Sequence, residues 1–199
     1  MYKNYETPNY LKDTIDHYSK IFDWNWPYRF FCTLTFQYQL SDKQGIEFAS
    51  QHIRRFNKSL LGKHWKKHGA LCIKGVAVLE HASIRKVVGE KRVPVSDRGS
   101  CHFHFLLNDH PSLDKDPNVA LKQVTEAWER AARSINFKLT KKLVSKNGTD
   151  VQLFKTKGVY GYMLKESCNP TWRYQERLFL LDGEGLVALD LARLPMGTL

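Results

Sequence analysis

The sequence predicts an α+β fold, a central antiparallel β-sheet of about five strands with helices packed on it as a two-layer sandwich. Three observations predict it. Short aromatic and β-branched runs recur along the chain, and two longer stretches carry apolar residues at steps of three and four. The elements follow the order strand, helix, strand, strand, helix, strand, helix. No internal repeat or low-complexity segment interrupts the 199 residues, a length that suits one domain with short extensions.

The first strand is F-F-C-T-L-T-F-Q, Phe30 to Gln37. A helix follows. Ser41 and Gln44 fit a capping box, and Ile46, Ala49, Ile53, Phe56 and Leu60 form one apolar face. Leu71 to His81 reads as the second strand. The polar connection from Ala82 to Gly99 holds Arg85, Lys86, Lys91, Arg92 and Arg98, and a turn at Gly89 makes part of it a hairpin. Ser100 to Leu107 is the third strand. The second helix opens with Asp116 as cap and Pro117 at the first helical position, and Leu121, Val124, Trp128 and Ala131 form its stripe. Ile135 to Phe154 predicts one or two strands around a turn at Asn147-Gly148. A short helix then runs from about Val159 to Glu166 and stops before Asn169-Pro170. Leu178 to Leu181 fits either an extra strand or a covering segment. Residues 1–199 thus form a single domain with its core at about 30–166 and an extension at each end.

Five Trp, nine Tyr and eleven Phe supply a core without staples. No run of about 18 apolar residues is present, which argues against a membrane span or membrane partner. The N-terminus lacks the basic-then-apolar layout of a secretory signal. Cys32, Cys72, Cys101 and Cys168 are scattered and without a C-x-x-C pair, as befits free thiols in a cytoplasmic protein.

The net charge is +11, from 31 Lys and Arg against 20 Asp and Glu. One basic cluster runs from His52 to Lys74 and another from Lys138 to Lys157. A field of that sign captures a polyanion. Arg54, Arg55, Lys141 and Lys142 are the expected contacts to the phosphates of such a polyanion.

His102-Phe103-His104 is the centre of the chemistry. Residues two apart in a strand share a face, so His102, His104 and Leu106 stand together while Phe103 and Phe105 seal the other face onto helices. Two neutral imidazoles at that spacing can hold one divalent ion. Glu80 ends the preceding long strand, and antiparallel pairing sets it beside His102 as a third ligand. His81 points to the opposite face. The third piece is V-Y-G-Y-M-L-K, Val159 to Lys165, where Tyr162 and Lys165 share a helix face. A phenol with its pKa of about 10 is a poor nucleophile. A metal-bound phosphate and a nearby ammonium compensate for that. Tyr160 lies about 200° around the helix from Tyr162 and stands as an alternative nucleophile rather than a partner.

In this order, a T-L-T strand (Thr33 to Thr35), Glu80, H-F-H and V-x-x-Y-x-x-K resemble the HUH endonuclease superfamily, over about residues 30 to 166. The resemblance is to single-tyrosine replication initiators (Rep proteins) with an HUH/RRM-like sandwich. It implies that His102, His104 and Glu80 bind Mg or Mn, that Tyr162 attacks a DNA phosphate to give a 5′-phosphotyrosine, and that Lys165 assists. The freed 3′ hydroxyl then primes rolling-circle replication of a plasmid or phage. The expected partner is single-stranded DNA at a replication origin. No G-x-x-x-x-G-K-[ST] loop is present, so strand separation falls to a separate helicase, with a separate polymerase for synthesis.

The chain departs from the pattern in one respect. The connection from Ala82 to Gly99 is longer than a simple turn. Two other readings stay open. One is a single-stranded nucleic-acid-binding domain without chemistry, in which the histidines pack or touch bases. The other is an HUH-type transposase. A conjugative relaxase fits less well, because such enzymes carry their tyrosine near the N-terminus together with a third histidine.

Overall fold

The computed structural model describes residues 16, 19–23, 27–67, 72–81, 84–88, 91–96, 101–137, 141–164 and 174–189. Strand β1 (Tyr28–Phe36) leads into helix α1 (Asp42–Leu61). Then come β2 (Gly75–His81), the ribbon β3 (Ile84–Val88) and β4 (Lys91–Ser96), and β5 (Cys101–Asn108). Helix α2 (Pro117–Arg133) precedes a small ribbon, β6 (Asn136–Phe137) and β7 (Lys141–Lys142), and then β8 (Val144–Leu153). Two short helices, α3 (Gly158–Met163) and α4 (Tyr174–Arg177), and two strands, β9 (Leu178–Leu181) and β10 (Leu186–Ala188), complete the order.

The fold is α+β. Six strands form one antiparallel sheet in the order β10-β9-β2-β5-β1-β8. The sheet is one strand larger than the sequence predicts, because Leu178–Leu181 pairs with β2 and carries β10 on its outer side. The expected hairpin is present as the β3–β4 ribbon, a two-stranded sheet that among the described residues pairs only with itself.

Both long helices form where their caps direct. The Ser41 side chain accepts from the Gln44 amide, and the Gln44 side chain accepts from the Ser41 amide. Asp116 accepts from the amides of Asn118 and Val119, with Pro117 in the first turn. Ala49, Ile53 and Phe56 of α1 and Val124, Trp128 and Ala131 of α2 are buried on one sheet face, against Cys32, Leu34, Phe103 and Phe105. Trp128 also donates its indole N–H to the Thr33 carbonyl at 3.1 Å, tying α2 to the middle of β1. Asn57 is fully buried and uses both ends of its amide. Its oxygen accepts from the Ile73 amide at 3.2 Å, and its nitrogen donates to the Gly183 carbonyl at 3.2 Å. That satisfies a polar group that would otherwise cost about 1–3 kcal/mol.

A second apolar cluster lies on the opposite sheet face. Ile21, Phe22, Tyr28, Val76, Val78, Leu106, Leu178 and Leu189 surround Tyr160, Met163 and Leu164 at the α3 end. Helix α3 therefore covers only part of this face. The remainder holds the polar cluster described below.

The predicted turn at Asn147-Gly148 is not formed. Both residues lie within β8, which runs unbroken from Val144 to Leu153. The register explains it. Leu34 pairs with Thr149 and Phe36 with Val144, so β8 spends more residues than β1 over the same stretch. A bulge absorbs the surplus, and the small residue Gly148 is buried within it. The proposed helix stop at Asn169-Pro170 lies outside the described residues. Cys32, Cys72 and Cys101 are buried free thiols, as the sequence predicts. Among the described residues, no helix is long and apolar enough to cross a membrane.

Candidate metal centre

The alternation of β5 divides its side chains as expected. Phe103, Phe105 and Leu107 enter the helix-side core, while His102, His104 and Leu106 face the other way. Strand β2 is the antiparallel neighbour of β5, and Glu80 sits directly opposite His102. Strand β1 flanks β5 on its other side, with Thr33 opposite His104 and Thr35 opposite His102. Three central strands thus deliver one carboxylate, two imidazoles and two hydroxyls to one end of the sheet.

The distances are short. Glu80 Oε2 lies 3.0 Å from His102 Nε2 and 3.3 Å from His104 Nε2. The three donors all lie within 4.8 Å of one another. Ligand bonds of about 2.0–2.2 Å put neighbouring donors around one cation about 2.8–3.6 Å apart, at octahedral or tetrahedral angles. Glu80 meets that spacing with each of the two imidazoles. Glu80 is fully buried, His104 is 3% exposed and the His102 side chain 14%. A carboxylate withdrawn from water this far needs positive charge beside it. The residues therefore form a cluster able to bind a metal ion.

Thr33 supports this arrangement from behind. Its Oγ1 lies 3.1 Å from His104 Nδ1. When Nδ1–H donates to that hydroxyl, the Nε2 lone pair is directed toward Glu80, the tautomer a metal ligand requires. The T-L-T strand motif was visible in the sequence, but this role of Thr33 was not. Phe31 was also missed. Its ring stacks on His104 with centroids 5.4 Å apart and an interplanar angle of 21°.

Helix α3 brings Tyr162 to this cluster. Its ring centroid is 5.0 Å from that of His104 and 6.3 Å from that of Phe31. At 51% exposure it is one of the few large, outward-facing aromatics among the described residues. Tyr160 is placed differently. It is 2% exposed and stacks on Phe154, and its hydroxyl donates to Asp23 at 3.4 Å. Burial, and then the Asp23 carboxylate, push its phenol well above the ordinary range. A phenolate is therefore disfavoured at Tyr160, which serves the core instead. Lys165 lies outside the described residues.

The basic residues lie in different parts of the fold. Arg54 and Arg55 belong to α1, on the face opposite the His–Glu cluster. Arg54 donates to the Glu184 carbonyl at 3.1 Å, and Arg55 to the Ser134 carbonyl at 2.8 Å. Any phosphate that they contact would therefore lie on the helix layer rather than beside the imidazoles. An amphipathic helix that buries its apolar face on the Phe103 side carries its cations farther away still. Lys141 and Lys142 lie in β7, just before β8, and the Lys142 carbonyl accepts from the Gln37 side chain. That places them at the sheet end where His102 and Thr35 pair, beyond β1.

His81 faces away from Glu80, as the sequence implies. Its Nε2 lies 2.8 Å from Asp42 Oδ1, and its Nδ1 lies 2.9 Å from Arg177 Nη1. A guanidinium only donates, so Nδ1 accepts and Nε2 carries the proton. This triad ties the end of β2 to the start of α1.

Comparison with protein-family models, with curated proteins and with solved structures finds no match to this chain.

Proposed function

We propose that the chain is a metal-dependent nickase and strand transferase acting on single-stranded DNA, with Tyr162 as its nucleophile. The observation that carries this reading is the contact of Tyr162 with His104, a member of the Glu80–His102–His104 cluster.

In this reading Glu80, His102 and His104 hold Mg or Mn, which supplies Lewis acidity toward a phosphate oxygen. Tyr162 Oη forms a bond to phosphorus, and the bond from phosphorus to the 3′ oxygen breaks. The phenolic proton leaves to base or solvent, and the departing 3′ oxygen takes up a proton as a hydroxyl. Lys165, three residues on from Tyr162, is the residue proposed to steady the developing charge. Thr33 keeps His104 in its ligating tautomer. Phe31 and Tyr162 offer ring faces to unstacked bases. Reversal of the same step rejoins the strand, and the free 3′ hydroxyl suits initiation of rolling-circle replication.

The exposed ring of Tyr162 beside Phe31 equally suits a stacking platform without chemistry. One experiment separates the two. The chain is incubated with single-stranded oligonucleotides of varied sequence and Mn, then run on a denaturing gel. The enzyme reading expects a covalent protein–DNA species and a shortened 3′ hydroxyl product. Tight binding with neither product supports the binder.

A further inference from the structure

The sheet face and the helix layer differ in the chemistry they offer a nucleic acid. Aromatic rings lie on the sheet face, at Phe31 and Tyr162. On the other side, α1 and α2 enclose an open groove of about 530 Å³ lined by Arg55, Lys58, Ser59, Arg130, Ala131 and Ser134. Among the described residues, that lining contains three cations, no carboxylate and no aromatic ring. Two of the cations are held in place. Arg55 is anchored on the Ser134 carbonyl at 2.8 Å, and Arg130 on Ser59 Oγ at 3.2 Å. A guanidinium has five N–H donors, so each anchor leaves most of them for another acceptor. Anchoring also lowers the entropy lost on binding.

We propose that this groove binds the phosphate backbone of duplex DNA, on the layer opposite the metal cluster. Single strands are gripped through base stacking, which this groove cannot provide. A duplex hides its bases and presents paired rows of phosphates, which suit preorganised guanidiniums. Glu129, the sequence neighbour of Arg130, pairs with Arg133 at 3.3 Å and is not part of the groove lining. Only the choice of DNA as the polyanion rests on the proposed nickase function.

The test uses the full chain in chelator, a short labelled duplex and fluorescence anisotropy between about 50 and 200 mM salt. The variant Lys58→Glu plus Arg130→Gln spares the Arg55 anchor. Lys58→Glu alone removes no hydrogen bond described for the groove and covers the case in which the double variant fails to fold. Lys122→Gln is the control, since Lys122 is exposed on α2 and lies outside the groove lining. Duplex affinity should fall at least about tenfold in both groove variants. The log–log salt slope should shrink by about one for each phosphate that a variant no longer neutralises. The control should behave as wild type, and binding of a short single strand should be unchanged. Unaltered duplex affinity in a folded Lys58→Glu chain overturns the proposal, as does equal loss of duplex and single-strand binding. Binding to an acidic protein but not to duplex overturns it too. The measurement needs neither metal nor Tyr162, so its failure and that of the nickase reading are separable.

Discussion

Glu80 and His102 face each other across neighbouring antiparallel strands, with Oε2 of the one 3.0 Å from Nε2 of the other. The chemistry of the site follows from that pairing, because it sets a buried carboxylate in register with the first of two imidazoles. It leads directly to a prediction about metal. Mn at about a hundredfold excess over its Kd should stabilise the chain by about 2.7 kcal/mol, or about 5–10 °C in melting temperature. Glu80→Gln should abolish that increment without lowering the melting temperature of the metal-free chain, since it removes a buried negative charge. Differential scanning fluorimetry with and without Mn reads both numbers. A full Mn increment in Glu80→Gln would dismiss Glu80 as a ligand.

Thr33→Val tests the support behind His104. The substitution keeps the shape of the side chain and removes the hydroxyl 3.1 Å from His104 Nδ1. Metal affinity should drop by about 10–100-fold, the usual effect of losing an outer partner of a ligating histidine. Stability of the metal-free chain should change by only about 1 kcal/mol. Isothermal titration with Mn measures the first effect and urea unfolding the second.

Gly45 sits where α1 packs against β5. A Cβ there would lie 2.6 Å from Cys101 Sγ, a buried atom without room to yield. Gly45→Ala should therefore destabilise by about 1–3 kcal/mol, although alanine is the better helix former. Combined with Cys101→Ala, the two substitutions should show coupling above about 0.5 kcal/mol in urea unfolding. Strict additivity would mean the contact is absent.

His52 predicts an acid sensitivity unrelated to the metal cluster. It is fully buried against Trp128, with ring centroids 4.2 Å apart, and burial lowers its pKa to about 3. The unfolded chain takes up a proton below about pH 6.5, and the folded chain does not. The contribution of this residue to stability is complete above pH 6.5 and is lost as the pH falls toward 3. The expected slope within that window is up to about 1.4 kcal/mol per pH unit. His52→Leu should flatten it in urea unfolding measured between pH 7 and about 4; an unchanged slope would assign the acid sensitivity to other groups.

Much of this site is legible in the sequence because a strand has a strict period of two. His102-Phe103-His104 with flanking Phe105 states which residues face the core, and a neighbouring antiparallel strand with Glu80 near its end supplies the third member of the cluster. Thr33 was harder to find, since its role depends on β1 pairing with β5 rather than on any local pattern. Asn147-Gly148 misled for a related reason. The dipeptide is the strongest local turn signal, but tertiary pairing with β1 turned it into a bulge. Arg54 and Arg55 mark another limit. Helical periodicity tells which residues are exposed but not which layer of the sandwich the helix occupies.

The central claim is that Tyr162, and not Tyr160, carries the reactive oxygen beside the Glu80–His102–His104 cluster. Mass spectrometry of peptides from the chain after reaction with Mn and a cleavable single-stranded oligonucleotide tests it most directly. A nucleotide joined through phosphate to Tyr162, lost in Tyr162→Phe and kept in Tyr160→Phe, is the predicted result. Attachment at Tyr160, or an adduct that survives Tyr162→Phe, would contradict the account.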